Sequence, residues 1–93
     1  MKICNNFKKG VICVMIYKTT GTCSTEIDIE LKDGLIESVQ FTNGCNGNLQ
    51  GISRLVVGMK PEDAIAKLKG IKCRTKPTSC PDQLARALET MIS

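Results

Sequence analysis

The sequence predicts a single α+β domain, in which a small antiparallel three-stranded sheet is followed by three helices packed on one face. Residues 26–31 alternate acidic and aliphatic side chains, which is the period of a strand with one buried face. After residue 48 the apolar residues recur every three or four positions, which is the period of a helix. Because the strands precede the helices, we expect an antiparallel sheet with the helices gathered beside it.

The strands are predicted from alternation and from one turn. The β-branched residues around Gly21, in residues 19–24, predict a first strand with a bend or bulge, and residues 11–17 would lengthen this strand if the N-terminal segment is translated. The second strand covers residues 26–31. Asp33-Gly34 predicts a hairpin to the third strand, residues 35–42, because glycine accepts the positive φ that a two-residue turn requires. The residues expected on the buried face are Ile27, Ile29, Leu31, Val39 and Phe41.

The helices are predicted from their end signals. Asn48 caps the first helix, which ends at Gly58, and the second begins at Pro61 and ends at Gly70. The third runs from Cys80 to Ile92. Its expected start rests on Ser79, Pro81 and Asp82: Ser79 would cap, Asp82 would reach back, and Pro81 suits a first turn. The residues expected to face inward are Leu49, Ile52, Leu55, Val56, Ala64, Ile65, Leu68, Leu84, Leu88, Met91 and Ile92. Gly51 costs the first helix about 1 kcal/mol against alanine, which predicts a close approach of this helix to a neighbouring segment.

Residues 1–14 differ from the rest and are interpreted as a doubtful N-terminal extension, with residues 15–93 as the single domain. They are basic and show no clear amphipathic period before Val11. Met15 offers an alternative start.

Composition excludes several kinds of function. The chain has no histidine, which excludes histidine-based triads and zinc sites with histidine ligands. It has no tryptophan and only three other aromatic residues, which argues against nucleic acid as a partner through base stacking. Its longest early apolar run, residues 11–17, is too short to cross a membrane and is not followed by a signal-peptidase site. We therefore expect a cytoplasmic protein with reduced cysteines.

Four of the six cysteines share one context, because each lies where an element ends: Cys23, Cys45, Cys73 and Cys80. Cys13 lies in an apolar run and is interpreted as core packing, whereas Cys4 lies in the doubtful extension. Cys80, in a first helical turn, would have its thiolate form favoured by the helix dipole. The basic residues expected to offset thiolate charge are Lys67, Lys69, Lys72, Arg74 and Lys76. No CxxC pair is present, so these positions alone leave metal ligation, redox thiols and inert buried thiols as alternatives.

The pentapeptide Thr78-Ser79-Cys80-Pro81-Asp82 resembles the defining motif of the TSCPD domain family. The resemblance extends to residues 17–24, 44–53 and 68–73, and covers about residues 15–92 in the manner of the stand-alone short form. Such domains also occur near the C-terminus of adenosylcobalamin-dependent ribonucleotide reductases. The resemblance thus implies a cysteine-rich, metal-binding accessory module with a protein partner, and not a complete reductase, since the chain has no room for the catalytic barrel.

A more distant resemblance is to the NifU-type iron–sulfur scaffold proteins. It implies that the sheet and the three helices of this chain have a SufE/NifU-like arrangement. Cys23, Cys45 and Cys80 match in order the three cysteines that hold zinc or a nascent cluster in that family. Ser79 stands where that family usually has a histidine, and Cys73 would be the replacement ligand. The two resemblances together imply a zinc site at Cys23, Cys45, Cys73 and Cys80.

Two alternatives stay open. One is a thiol–disulfide module without a cofactor, in which Cys73 and Cys80 exchange disulfides to re-reduce a partner such as a ribonucleotide reductase. The other is an iron–sulfur scaffold or carrier that works with the iron–sulfur machinery. No catalytic residue is predicted, and the sequence does not predict an oligomeric state.

Overall fold

The computed structural model describes residues 2–8, 10–19, 21–22, 24–44, 46–72 and 75–92. Four strands come first in the chain: β1 (Lys2–Phe7), β2 (Gly10–Lys18), β3 (Glu26–Lys32) and β4 (Leu35–Thr42). Three helices follow them: α1 (Asn46–Val56), α2 (Pro61–Leu68) and α3 (Cys80–Ile92). The α+β class and the order of strands before helices are confirmed.

The sheet has four strands, so the prediction of three was wrong. Each strand pairs antiparallel with the next, in the spatial order β1-β2-β3-β4. The additional strand, β1, pairs along its whole length with β2, from Lys2 opposite Met15 to Phe7 opposite Gly10. It was missed because residues 2–7 include two asparagines and do not alternate, so pairing with β2 and not local preference makes this segment a strand.

A disulfide joins β1 to β2. Cys4 lies directly opposite Cys13 in the antiparallel pair, with 4.0 Å between their Cα atoms, and the two sulfur atoms are bonded. The expectation that all cysteines are reduced was therefore wrong for this pair, although Cys13 does pack against the core as predicted. The disulfide lies within residues 1–14. The interpretation of that segment as a doubtful N-terminal extension stays a prediction.

The hydrophobic core lies between one face of the sheet and all three helices, which confirms that the helices pack on one face. The buried members of this cluster are Met15, Ile27, Ile29, Leu31, Ile36, Val39, Val56, Ala64, Leu84, Ala87, Leu88 and Met91. Phe41, Ile52, Ile65 and Leu68 are partly buried against it, as predicted. Two residues expected inside are exposed, Leu55 by 77% and Ile92 by 43%, because each lies at the border of its helix's apolar stripe.

The helix ends agree with the sequence signals to within three residues. α3 has the predicted bounds, and α2 begins at Pro61 as predicted. α1 begins at Asn46, so Asn48 is its third residue and the prediction that Asn48 caps this helix was wrong. The reason inferred for Gly51 was wrong for the described residues, since a Cβ added there meets none of them within 4 Å. In the part of the chain that the structure describes, no helix has both the length and the apolarity to cross a bilayer.

Candidate functional site

Three connections between elements meet at one end of the sheet. The pairing of Lys18 with Glu26, and of Glu26 with Thr42, brings the end of β2, the start of β3 and the end of β4 to the same edge. The N–H of Thr25 donates to the carbonyl of Thr42 at 2.9 Å, which holds the β2–β3 connection beside the β4–α1 connection. The N-terminus of α3 comes from the α2–α3 connection and completes the group.

Cys80 contacts the β2–β3 connection through Ser24. The two side chains form a hydrogen bond, with 3.1 Å between Ser24 Oγ and Cys80 Sγ. Ser24 is 2% exposed, and its carbonyl accepts hydrogen bonds from the hydroxyls of Thr19 and Thr22. These bonds fix the position of Ser24, so the thiol of Cys80 lies against an ordered turn 56 residues away in the chain.

A pocket of about 380 Å³ opens beside Cys80. Its wall is formed by α1, by the β2–β3 connection and by the α2–α3 connection, and its lining residues are Thr22, Asn48, Leu49, Ile52, Ile71, Lys72, Lys76, Ser79, Cys80 and Pro81. The thiol of Cys80 is free and half-buried. Gly44 borders the same region, since a Cβ added there would lie 2.7 Å from Leu49 Cδ1 and 3.2 Å from the nitrogen of Ser24.

The start of α3 confirms the cap and corrects its partner. The N–H of Asp82 donates to Ser79 Oγ at 3.2 Å, so Ser79 caps the helix as predicted. Pro81 has no N–H, and the N–H of Gln83 donates to the carbonyl of Ser79 at 2.8 Å. Cys80 therefore lies at the positive end of the helix dipole, where the N–H groups of Asp82 and Gln83 already donate to Ser79.

Asp82 does not complete a capping box, because its carboxylate is used elsewhere. It is 1% exposed, and it accepts hydrogen bonds from the N–H of Gly70 at 2.7 Å, from the hydroxyl of Thr78, and from Arg86 Nε at 2.9 Å. Burial by itself raises the pKa of the Asp82 carboxyl, but the bonds from Thr78, Gly70 and Arg86 favour the charged form and hold its pKa below the usual value. Through its bonds with Gly70 and Thr78, Asp82 thus holds both ends of the α2–α3 connection against α3.

The predicted basic surroundings are present only in part. Lys72 and Lys76 line the pocket. Lys69 instead pairs with Glu89 on the surface, with 2.8 Å between Nζ and Oε2, and Lys67 lies exposed on α2. Arg74 lies outside the described residues. Two lysines, and not five basic residues, therefore line the Cys80 pocket in the described part of the chain.

Of the four predicted metal ligands, the structure describes Cys80 alone. Cys23, Cys45 and Cys73 lie outside the described residues. Within the described residues, no group of three or more cysteine, aspartate or glutamate side chains is arranged to hold a metal ion. The roles of Ser24 and Asp82 were not predicted, because each depends on a contact between segments that are distant in the sequence.

A family model for the TSCPD domain matches residues 12–92, nearly the whole chain. The protein belongs to the TSCPD domain family, as its motifs predicted. Comparisons with curated proteins and with solved structures find no significant match, so the likeness to the NifU-type scaffold proteins stays a prediction.

Proposed function

We propose that the protein is a zinc-binding accessory module, in which Cys23, Cys45, Cys73 and Cys80 hold one Zn²⁺ and the metal-held surface is recognised by a protein partner. One observation supports the shared site above all others. The free thiol of Cys80 borders a pocket that is also lined by Thr22 and Lys72, the sequence neighbours of Cys23 and Cys73. Gly44, the neighbour of Cys45, lies against Leu49 of the same pocket.

Each of these neighbours is one peptide away from a proposed ligand, a span of about 3.8 Å between Cα atoms. Thr22 lines the pocket and precedes Cys23, while Ser24 follows it and bonds to Cys80. Gly44 precedes Cys45 and lies against Ser24 and Leu49. Lys72 lines the pocket and precedes Cys73. Four thiols contributed from such positions fit the tetrahedral ligand set of a structural zinc ion.

The electrostatic surroundings also fit a thiolate site. Four thiolates around Zn²⁺ leave a net charge of about −2, which needs nearby positive charge or donors. Lys72 and Lys76 line the pocket, and the positive end of the α3 dipole points to Cys80. The bound zinc would supply no redox chemistry; it would fasten three connections to one another and so define the surface at this end of the sheet.

The experiment is zinc analysis of the full chain, purified without oxygen and without added metal. We expect one zinc per chain, and we expect its loss in each of Cys23→Ser, Cys45→Ser, Cys73→Ser and Cys80→Ser. The matched control is the double variant Cys4→Ser/Cys13→Ser, which removes two cysteines that form a disulfide away from the site and should keep the zinc.

Other outcomes would overturn the zinc site in favour of an alternative. Metal-free protein in which a Cys73–Cys80 disulfide forms and is reduced by added thiol would assign the site to thiol–disulfide exchange. A brown, oxygen-sensitive chromophore with bound iron and sulfide would assign it to iron–sulfur scaffolding or transport.

Family membership supports a proposal for the partner, and the free thiol supports a proposal for the compartment. Because the resemblance is to a domain of ribonucleotide reductases, we propose a reductase of that kind as the partner whose activity the module supports. We propose the cytoplasm as its location, since four thiol ligands persist best in a reducing compartment. The Cys4–Cys13 disulfide, of a kind that is rare there, does not contribute to this proposal. Co-purification of the full chain with a co-expressed reductase subunit from the same cells tests the first point, and absence of the complex would contradict it.

A further inference from the structure

The outer edge of β4 is unpaired along most of its length in the residues that the structure describes. Only its start is covered. There, the N–H of Ile36 donates to the carbonyl of Met59 at 3.0 Å, and the N–H of Gly58 donates to the carbonyl of Ile36 at 2.8 Å. Natural edge strands are usually protected by charged side chains, by proline, by a bulge or by a covering segment. The β3–β4 pair has a bulge between the Ser38 and Ile36 pairings, where Glu37 lies, whereas residues 38–42 contain no charged residue and no proline. This edge is thus open to a further strand.

The pairing of the sheet shows which peptide groups face the open edge. In β3 the odd-numbered residues bond to β2, because the N–H of Asp33 donates to the carbonyl of Val11 across that pair at 2.8 Å. The even-numbered residues of β3 therefore bond to β4, where they lie opposite residues 38 and 40. The N–H and C=O groups of Val39 and Phe41 consequently point away from the sheet.

A groove of about 620 Å³ runs between this edge and α1. Val39, Phe41 and Leu49 contribute apolar surface, and Ser53, Arg54 and Val57 form the side that belongs to the helix. The volume lies within the range of natural ligand pockets. A strand rises about 3.3 Å per residue, so a segment of about five residues matches the open part of β4.

The charge of the groove restricts its occupant. Arg54 is the one charged side chain among the described residues that line it. Arginine pairs with a carboxylate through two parallel hydrogen bonds. Such a pair would fix the register of a bound segment and would require that the segment carry a negative charge. An extended segment with an acidic side chain or a free C-terminal carboxylate fits this requirement.

We propose that the groove between β4 and α1 binds an extended acidic segment of a protein partner, which pairs with Val39 and Phe41 as a fifth strand and places a carboxylate at Arg54. Main-chain hydrogen bonds provide the binding, and Arg54 provides the selectivity. The proposal rests on the proposed function for its partner-binding role, but it does not depend on the metal.

The test begins with a phage-displayed library of random linear heptapeptides, panned against the full chain and in parallel against the variant Ser53→Trp, whose indole fills the groove. We expect the wild-type chain to enrich sequences that combine β-branched residues with aspartate or glutamate. Arg54→Ala should weaken binding of a synthetic enriched peptide about ten-fold. Lys67→Ala, which removes an exposed charge from α2, is the matched control and should leave the affinity unchanged.

Amide hydrogen exchange identifies the mode of binding. The N–H groups of Val39 and Phe41 should exchange at least ten-fold more slowly when the peptide is bound, and methylation of the peptide nitrogens should abolish the effect. No preference for wild type over Ser53→Trp, or protection confined to other amides, would overturn the proposal. Protection of the same amides by dimerisation without peptide would assign the edge to a second copy of the chain and would also overturn it.

Zinc analysis of the same variants separates the two proposals. Arg54→Ala should lose peptide affinity and keep its metal, since Arg54 lies outside the lining of the Cys80 pocket. A metal-free wild-type chain that still binds the acidic peptide would contradict the zinc site and leave the groove supported.

Discussion

Replacement of Asp82 by asparagine should strongly destabilise the fold, although the two side chains have nearly the same shape. The buried carboxylate accepts hydrogen bonds on Oδ2 from the hydroxyl of Thr78 and from Arg86, and on Oδ1 from the N–H of Gly70. An asparagine keeps one oxygen, which can still accept from Gly70. Its amide nitrogen then faces the two remaining donors, so both of those bonds are lost.

The magnitude follows from the two lost bonds. A hydrogen bond to a charged group contributes about 1.5–3 kcal/mol when buried, which applies to Thr78. Arg86 is 54% exposed in its side chain, so its i,i+4 pair with Asp82 contributes only about 0.5 kcal/mol. The free energy of unfolding should therefore fall by about 3 kcal/mol at pH 7. With a urea m-value of about 1–1.5 kcal/mol per M, the midpoint should fall by about 2–3 M.

The effect should depend on pH with a definite sign. The pKa of Asp82 is held below its ordinary value of 3.8 in the folded state, because the charged form is the one that is hydrogen-bonded. Its contribution is thus present in full above the unfolded-state pKa and is lost as the pH falls through the folded-state pKa. The difference in stability between wild type and Asp82→Asn should be constant from pH 7 to about pH 5 and should shrink below about pH 4.

Urea denaturation followed by circular dichroism, at several pH values, measures both quantities. Asp28→Asn is the matched control, because Asp28 is an exposed carboxylate on the outer face of β3 and its loss should change stability by less than about 0.5 kcal/mol. A loss below about 1 kcal/mol for Asp82→Asn at pH 7, or a difference that stays constant down to pH 3, would refute the role assigned to the carboxylate.

Four further substitutions test the packing and the backbone. Gly51→Ala should raise the free energy of unfolding by about 1 kcal/mol and the Tm by about 4–8 °C, because Gly51 is helical and its added Cβ meets open space; a lower Tm in a thermal scan would contradict this. Gly44→Ala should lower the free energy of unfolding, measured by urea denaturation, by at least about 2 kcal/mol, because φ is +96° and the new Cβ would lie 2.7 Å from Leu49 Cδ1. Gly34→Ala has a similar φ of +82° but no described neighbour within 4 Å of the new Cβ, so it should lower the free energy of unfolding by about 1 kcal/mol. Equal costs would show that the contact with Leu49 does not matter. Leu88→Ala should lower the free energy of unfolding by about 2–5 kcal/mol, because Leu88 is fully buried in the core. A decrease below about 1 kcal/mol would contradict the placement of Leu88 in the core.

The elements that the sequence predicted well are those with signals inside a short window. α3 has both of its predicted ends, because Ser79 and Pro81 define its start and one periodic apolar face continues to Met91. The β3–β4 hairpin was predicted from Asp33-Gly34, and both residues have the positive φ that such a turn requires.

The features that the sequence did not reveal depend on contacts between distant segments. β1 has a weak local preference and is a strand because β2 offers it a partner edge. Asp82 looked like one half of a capping box, and only the position of Gly70, 12 residues earlier, shows where its carboxylate points. The bond between Ser24 and Cys80 spans 56 residues, and no local pattern encodes it. The four-cysteine site stays a prediction, because three of its four residues lie outside those that the structure describes.

The contact of β1 with α3 has a topological consequence. Nζ of Lys2 donates to the carbonyl of Met91, so the first strand and the last helical turn are neighbours in space. A linker of a few residues could therefore connect residue 92 to residue 2, and the chain could be opened instead at the exposed Asp33-Gly34 turn. In such a circular permutant β4 would come first and β3 last, while every strand would keep its neighbours and the Cys80 pocket its walls.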